Sequence, residues 1–164
     1  MIRRRRDNFG FTLIELIVVM VLIAIMLAVV APSLSGFGSG RKLDNAVDQF
    51  LATTRWAQSQ AVMDAQPLTI QIDSSANTYL VNTVNGDTRT PVAGEFGQAV
   101  TLPTGFKIEL VSGGSGGNGG GNLILFQPDS RCTPAVVRFT SNLNETADVA
   151  SNSPAEPFAK VVAK

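Results

Sequence analysis

An almost uninterrupted apolar run extends from Phe11 to Ala31, and one carboxylate, that of Glu15, interrupts it near its start. A helix rises about 1.5 Å per residue, so this run makes a helix roughly 30 Å long, enough to cross the hydrocarbon core of a bilayer. Four consecutive arginines, Arg3 to Arg6, precede the run. The pattern predicts a single membrane-spanning helix with its basic N-terminus in the cytoplasm and the globular part across the membrane.

Glu15 is costly in such a helix. A charged acid within a membrane span costs about 2.5 to 3.5 kcal/mol on insertion scales and usually has a partner and a task. No side chain from Phe11 to Ala31 carries a positive charge. If the chain were cut after Gly10, the new amine on Phe11 would be a cation, and a neighbouring copy would present that amine to Glu15 better than the same helix. The residues therefore predict assembly between subunits.

The segment GFTLIE, from Gly10 to Glu15, lies behind a basic leader and ahead of an apolar helix. It resembles the class III signal of type IV pilins and type II secretion pseudopilins. The resemblance implies that a prepilin peptidase removes the leader, residues 1–10, by cutting between Gly10 and Phe11, and then methylates Phe11. It also implies that Glu15 docks the subunit into a helical filament made with other pilins or pseudopilins, major and minor.

Two other interpretations of the N-terminus explain less. A plain membrane anchor accounts for the arginines and the apolar run but has no use for Glu15. A conventional secretory signal has an apolar core of about 7 to 15 residues, followed by small residues at the cleavage site. This run is longer, and a cut after Ala31 would place Pro32 beside the scissile bond.

The composition excludes several kinds of chemistry. The chain has no histidine and a single cysteine, Cys132. These counts exclude an intrachain disulfide, Cys/His zinc sites, and catalysis of the Ser-His-Asp and Cys-His types. We expect a structural protein without a cofactor, and a buried free thiol at Cys132 rather than an intermolecular disulfide.

Acidic residues leave two alternatives open. Paired carboxylates could perform acid–base chemistry, although the candidates lie near predicted turns, where acids commonly cap the chain. Carboxylate and amide oxygens also suit calcium, but no ligand spacing establishes a site. The acid–base candidates are Asp73, Asp87, Glu95, Asp129 and Asp148, and the calcium candidates are Asp129, Asn144, Glu145 and Asp148.

The charge balance argues against a nucleic-acid partner. Removal of residues 1–10 lowers Lys+Arg from 13 to 9 and Asp+Glu from 13 to 12, so the mature chain is slightly acidic. Binding to nucleic acid draws on clustered lysines and arginines, whereas the remaining basic residues are scattered.

Beyond the apolar run, residues 32–40 combine Pro32 with three glycines and interleaved serines, a composition that weakens a helix. In pilin-like proteins the corresponding region unwinds on assembly, and Pro32 is the expected position of that break. A simple linker between anchor and domain is an equally good interpretation. Residues 41–164 form the predicted extracytoplasmic domain.

The domain begins with a predicted amphipathic helix over residues 41–65, because apolar residues recur there at spacings of three and four. The period then changes to two, which predicts a β-rich part over residues 67–164. A helix followed by strands indicates an α+β fold in which an antiparallel sheet or β-sandwich packs on the helix. The predicted strands are Leu68 to Ile72, Thr78 to Val84, Ala99 to Leu102, Phe106 to Val111, Leu123 to Phe126, Val136 to Thr140 and Phe158 to Val162, with Thr88 to Gly97 left unassigned.

The segment Ser112 to Asn122 is nearly all glycine and serine. It lacks the Gly-Lys-Ser or Gly-Lys-Thr ending of a phosphate-binding loop, and no helix follows it. The composition predicts a mobile loop between strands, with an unassigned role.

A second resemblance lies in the domain. The apolar strand Leu123 to Phe126, the turn Pro128-Asp129-Ser130 and the strand Ala135 to Thr140 resemble the GspH/FimT family, in which glycine is usual where Ser130 stands. The helical run Arg55 to Ala61 also resembles that family. The resemblance implies a pilin-like fold and a minor pseudopilin near the tip of a periplasmic pseudopilus, which supports protein export across the outer membrane. The alternative is a FimT-like minor type IV pilin in pilus assembly or DNA uptake.

Overall fold

The computed structural model describes residues 12–114 and 122–161, and within the helix it gives the backbone but not the side chains of residues 28–39. The chain forms two compact units, Met1–Gly38 and Ser39–Lys164. We call them the N-terminal unit and the domain. A single helix, α1 (Leu13–Met63), contributes to both. In the part of the chain described, no helix combines the length and the apolar character that crossing a membrane requires.

The backbone of α1 is helical throughout residues 32–40. The structure therefore gives this segment as helix in the single subunit. Unwinding at Pro32 concerns the assembled state, and it stays a prediction.

The predicted amphipathic stripe of the domain helix is confirmed. The predicted positions are all buried in the domain: Leu43, Val47, Phe50, Thr54, Ala57 and Ala61. The helix ends at Met63, two residues before the predicted limit. Ala65 then takes a left-handed conformation (φ 52°), and the amide of Gln66 donates to the carbonyl of Ala61 at 3.2 Å. This closes the helix in the manner of a Schellman motif.

In the described part of the chain, nine strands form two antiparallel sheets. The strands of the first sheet are β1 (Leu68–Asp73), β2 (Thr78–Asn85), β3 (Thr88–Pro91), β4 (Val100–Thr101) and β6 (Leu123–Phe126). Those of the second are β5 (Lys107–Gly113), β7 (Ala135–Thr140), β8 (Thr146–Ser151) and β9 (Ala159–Val161). The first sheet has the order β3-β2-β1-β6, with β4 also paired to β2, and the second has the order β5-β7-β8-β9. A short 3₁₀ helix, η1 (Glu95–Gly97), lies between β3 and β4.

The core of the domain lies where α1 meets both sheets. Phe50 of α1 is fully buried, and its ring contacts Tyr79 of β2 edge-on at 5.2 Å and Phe139 of β7 at 5.4 Å between centroids. Edge-to-face pairs of this kind add about 0.5–1.5 kcal/mol beyond burial of their area. One helical side chain thus joins the two sheets, and the predicted α+β arrangement of helix on antiparallel sheet is confirmed.

Two strands were missing from the predicted set. β3 falls in the unassigned segment, and all four of its side chains are exposed, so no inward-facing apolar position reveals it. β8 was not predicted at all, because its sequence TADVAS has one β-branched apolar residue and three small ones. Pairing with β7 along its whole length creates β8, which is a tertiary effect that local propensity does not contain.

The first residues of the predicted mobile loop belong to a strand instead. Ser112 and Gly113 belong to β5 and pair with Val136 and Ala135 after a β-bulge. Gly113 has φ 77°, and a Cβ atom there would lie 2.0 Å from the carbonyl oxygen of Pro134. Glycine is therefore required by a close approach of two strands at this position. The rest of the glycine-rich segment, residues 115–121, lies outside the described residues.

Candidate assembly surface

The start of α1 places Glu15 in the first helical turn, with Thr12 immediately before the helix. The amide of Glu15 donates to the carbonyl of Thr12 at 3.1 Å and approaches its hydroxyl Oγ1 at 3.4 Å. This is half of a capping box, in which threonine and glutamate three positions apart satisfy the free amides of the helix end. A carboxylate in the first turn is also stabilised by the helix dipole. The hydroxyl of Thr12 thus caps the helix, and the helix dipole stabilises the carboxylate of Glu15; the sequence argument included neither effect.

The N-terminal unit exposes its apolar side chains. All side chains from Thr12 to Leu27 are exposed, and Leu13 is 80% exposed. Contiguous apolar surface of this kind marks contact with a membrane or another protein. The large members are Leu13, Ile14, Leu16, Ile17, Val18, Val19, Met20, Val21, Leu22, Ile23, Ile25, Met26 and Leu27.

The predicted partner of Glu15 is not within the described chain. Among the described residues the ion pairs are Arg131 with Asp129, Arg138 with Asp148, and Lys160 with Asp44, all in the domain. Gly10 and Phe11, the predicted cleavage and methylation positions, lie outside the described residues. Docking through Glu15 therefore stays a prediction.

The two segments that resemble the GspH/FimT family contact each other in the domain. The side-chain amide of Gln58, in the run Arg55 to Ala61, donates to the carbonyl of Ser130 at 2.8 Å. The turn itself is closed by the amide of Ser130, which donates to the carbonyl of Gln127 at 3.1 Å. Ser130 has φ 66°, a left-handed conformation that favours glycine, which explains why glycine is usual there.

Each of the two segments makes one further contact. Trp56 of α1 stacks on Phe96 of η1, with centroids 4.2 Å apart and planes inclined by 12°. Cys132, just after the turn, is a free buried thiol, as predicted, and its Sγ lies 3.4 Å from Oγ of Ser151. Phe96 was missed from the sequence, because it lies in the segment left unassigned and no pattern links it to Trp56.

The acidic candidates differ in their local structure: Asp73 ends β1, Asp87 and Asp129 lie in turns, Glu95 begins η1, and Asp148 lies within β8. Asp73 accepts hydrogen bonds from the Ser75 hydroxyl and from the amides of Ser75 and Ala76, and the Ser75 hydroxyl is the main cause of its lowered pKa. Asp129 accepts from the amide of Arg131 at 3.0 Å. Both cap turns, as the sequence indicates.

Asp148 corrects the prediction that placed it near a turn, because it lies within β8. Its two carboxylate oxygens accept from Nε and Nη2 of Arg138, each at 2.8 Å. The hydrogen bond from Arg138 lowers the pKa of Asp148, and the same bond raises the pKa of Arg138. This pair joins β7 to β8 at facing positions. In the described part of the chain, no three acidic or cysteine side chains gather as a metal site.

An apolar, exposed helix with a first-turn glutamate, which continues into a domain and packs there on two antiparallel sheets, defines a pilin-like protein. Two solved structures of the minor pseudopilin EpsH from the type II secretion system of Vibrio cholerae have a similar fold. One has a TM-score of 0.59 over 73% of this chain and 96% of that chain, at 11% identity. The other, a crystal structure, has a TM-score of 0.62 over 74% and 94%, also at 11% identity.

The family models match both parts of the sequence. Residues 5–31 match the prokaryotic N-terminal methylation motif, and residues 46–154 match the Type II transport protein GspH. The chain therefore belongs to the GspH family. It is also 34% identical over 70 residues to the type II secretion system protein H of Aeromonas hydrophila, an alignment that covers 43% of this chain and 38% of that relative.

Proposed function

We propose that this chain is a minor pseudopilin of a type II secretion system, a structural subunit near the tip of the periplasmic pseudopilus that supports protein export across the outer membrane. The observation that carries the proposal is the match of the GspH family model to residues 46–154 of the domain. The similarity of the fold to a minor pseudopilin and the methylation motif at residues 5–31 support it. The family is one of structural subunits, so the protein is not an enzyme under this proposal.

Maturation belongs to the same proposal. A prepilin peptidase cuts between Gly10 and Phe11 and methylates Phe11. Before assembly the subunit lies in the inner membrane through the run Phe11 to Ala31, with its N-terminus in the cytoplasm and its domain in the periplasm. The basic leader and the length of the apolar run support this topology.

Assembly follows from the exposed N-terminal unit. Glu15 of one subunit meets the methylated terminus of its neighbour, and the apolar side chains from Leu13 to Leu27 pack on other pseudopilins. On assembly, α1 unwinds at Pro32. The exposure of every described side chain in this unit supports a partner that covers it.

The charge of the C-terminal region favours secretion over DNA uptake. The end of the chain, from Pro154, contains the lysines Lys160 and Lys164. Lys160 makes an ion pair with Asp44 of α1, whose carboxylate reduces the positive potential at this position. A basic surface for nucleic acid has little support in this region.

Deletion of the gene tests the proposal. We expect export of folded proteins to the medium to fall, with twitching and DNA uptake unchanged, and the full-length gene to restore export. Loss of twitching or DNA uptake with normal export would instead assign the protein to a type IV pilus and contradict the proposal.

A further inference from the structure

The hairpin of β2 and β3 turns at an asparagine followed by a glycine. Asn85 is the last residue of β2 and pairs with Thr88, the first residue of β3, so Gly86 and Asp87 form a two-residue loop. Gly86 has φ 62°, the left-handed conformation for which such loops select glycine. All four residues are exposed. The side-chain amide of Asn85 and the backbone nitrogen of Gly86 are therefore adjacent groups at a solvated tip of the first sheet.

These two adjacent groups can react with each other. After its proton passes to water, the nitrogen of Gly86 attacks Cγ of Asn85, which forms a C–N bond, closes a succinimide ring and expels ammonia. Water then adds to either carbonyl, opens the ring and leaves aspartate or isoaspartate at position 85. In the net reaction, an amide and a water molecule become a carboxylic acid and ammonia.

The glycine after Asn85 gives the attacking nitrogen access. A Cβ atom on the following residue would crowd that nitrogen, and glycine has none. Beyond its chain neighbours, none of the described residues lies within 4 Å of a Cβ atom built on Gly86. Asn144 also lies in an exposed turn, but Glu145 follows it. The surroundings therefore favour the reaction at Asn85 over Asn144.

The folded hairpin restrains the reaction. A strand residue has ψ of about +135°, which turns its side chain away from the next backbone nitrogen, so Asn85 must rotate before the ring can close. That rotation breaks the pair of Asn85 with Thr88, the last pair between β2 and β3. β3 is a short strand at the edge of the sheet, and all its side chains are exposed. An end of this kind opens locally at a low cost in free energy.

A polar contact inside the hairpin opposes this opening. Thr83 pairs with Thr90, two positions before Asn85. The Thr83 hydroxyl lies 3.1 Å from the carbonyl of Thr90 and 2.8 Å from its hydroxyl. Cross-strand pairs of threonines stabilise a hairpin. This pair therefore lowers the fraction of molecules in which Asn85 is able to react.

We propose that Asn85 is a site of spontaneous deamidation and that opening of the β2–β3 hairpin end controls its rate. The product places a new carboxylate next to Asp87. Isoaspartate also lengthens the backbone at position 85, so the pair with Thr88 cannot form again in its original register. The converted fraction increases with the age of the subunit.

Peptide mass spectrometry of the full chain, incubated in detergent at mildly alkaline pH, tests the proposal. We expect Asn85 to convert roughly tenfold faster than Asn144, with isoaspartate identified among the products by fragmentation. A second pair of the same kind, Asn118-Gly119, lies outside the described residues and is followed in the same digest. The chain unfolded in denaturant gives the rate of an open backbone.

Two variants test the control by the hairpin. Thr90→Ala removes the hydroxyl contact with Thr83 and should speed conversion at Asn85 roughly two- to fivefold in the folded chain. Its rate in denaturant should equal that of the parent, because the hairpin is absent there. Thr146→Ala is the control, since it changes an exposed threonine of the other sheet, and it should leave both rates unchanged.

Conversion at Asn118 or in denaturant, with none at Asn85 of the folded chain, would overturn the proposal. So would equal rates at Asn85 and Asn144, which would indicate a general reactivity of exposed asparagines. Equal rates in the parent and in Thr90→Ala would show that opening of the hairpin end does not control the reaction. The proposed function stands whatever these results, because no arm of the experiment depends on secretion.

Discussion

The two units of the chain use the same apolar residues in opposite ways. Leu13 in the N-terminal unit is 80% exposed, whereas Leu43 in the domain is 5% exposed. The domain covers its apolar side chains with two sheets from the same chain. The N-terminal unit has no such cover among its described residues, from Thr12 to Leu27. Because exposed apolar surface is unfavourable in water, the N-terminal unit requires lipid or another subunit, and the domain does not.

This difference separates two kinds of substitution. A change in the N-terminal unit should alter assembly without altering the stability of the domain. A change in the domain core should alter stability first and assembly as a consequence.

The largest effect on assembly is expected at Glu15. Glu15→Ala should still insert in the membrane but should lower incorporation into the filament roughly tenfold or more, because an unpaired partner charge is left in a poorly solvated place. Crosslinking of the variant to neighbouring subunits measures the effect. Asp87→Ala is the control, since it removes a carboxylate from an exposed turn of the domain, outside the N-terminal unit. Normal incorporation of Glu15→Ala would remove the docking role from this residue.

The largest effect on stability is expected at Phe50. Phe50→Ala removes the ring that joins Tyr79 and Phe139, and should lower the free energy of unfolding of the domain by about 3–5 kcal/mol. Denaturant unfolding of the detergent-solubilised full chain, followed by fluorescence of the single tryptophan, Trp56, measures it. The matched substitution Leu22→Ala should change that value by less than about 0.5 kcal/mol. Equal losses in the two variants would show that the units are not independent.

A smaller effect is expected at the turn after β6. Ser130→Gly should raise the free energy of unfolding by about 0.5–1 kcal/mol. Loss of the Cβ atom relieves steric strain at the left-handed backbone of the folded state, and this gain exceeds the stabilisation of the unfolded state by the greater backbone entropy of glycine. Ser74→Gly, in the turn between β1 and β2, is the control and should lower stability by about 0.5 kcal/mol. Stabilisation of both variants, or of neither, would contradict the strain at Ser130.

The smallest expected effect is on the pH dependence of the free energy of unfolding. In the folded state the hydrogen bond from Arg138 holds the pKa of Asp148 below its ordinary value. The pair therefore stabilises the fold fully at pH values above the pKa of Asp148 in the unfolded chain, which is about 4. This contribution is lost as the pH falls through the lower pKa of the folded state. We expect Asp148→Asn to lower stability slightly at pH 7 and to reduce its fall between pH 5 and pH 2. Parallel pH profiles for the variant and the parent would exclude the pair as a source of that dependence.

The sequence predicts what is local in this fold. The apolar helix follows from hydropathy, and the hairpin of β1 and β2 follows from alternation around a turn of Asp, Ser and Asn. The strand β6 was placed with its observed bounds. In each case the physical cause acts within a few residues along the chain.

The sequence does not predict what depends on distant partners. Gln58 and Ser130 are 72 positions apart, and nothing in either segment indicates their hydrogen bond. β8 exists because β7 and β9 pair with it on either side. The prediction that Asp148 lies near a turn was wrong for the same reason, because its partner Arg138 lies on the neighbouring strand and not nearby along the chain.

The intact mass of the mature protein tests the central claim most directly, because docking through Glu15 requires a newly exposed terminus on the neighbouring subunit. In cells with an active prepilin peptidase, we expect the mass of the chain without residues 1–10 plus one methyl group, with the methyl group located on Phe11 by fragmentation. Recovery of the full-length, unmethylated chain from the same cells would contradict the account.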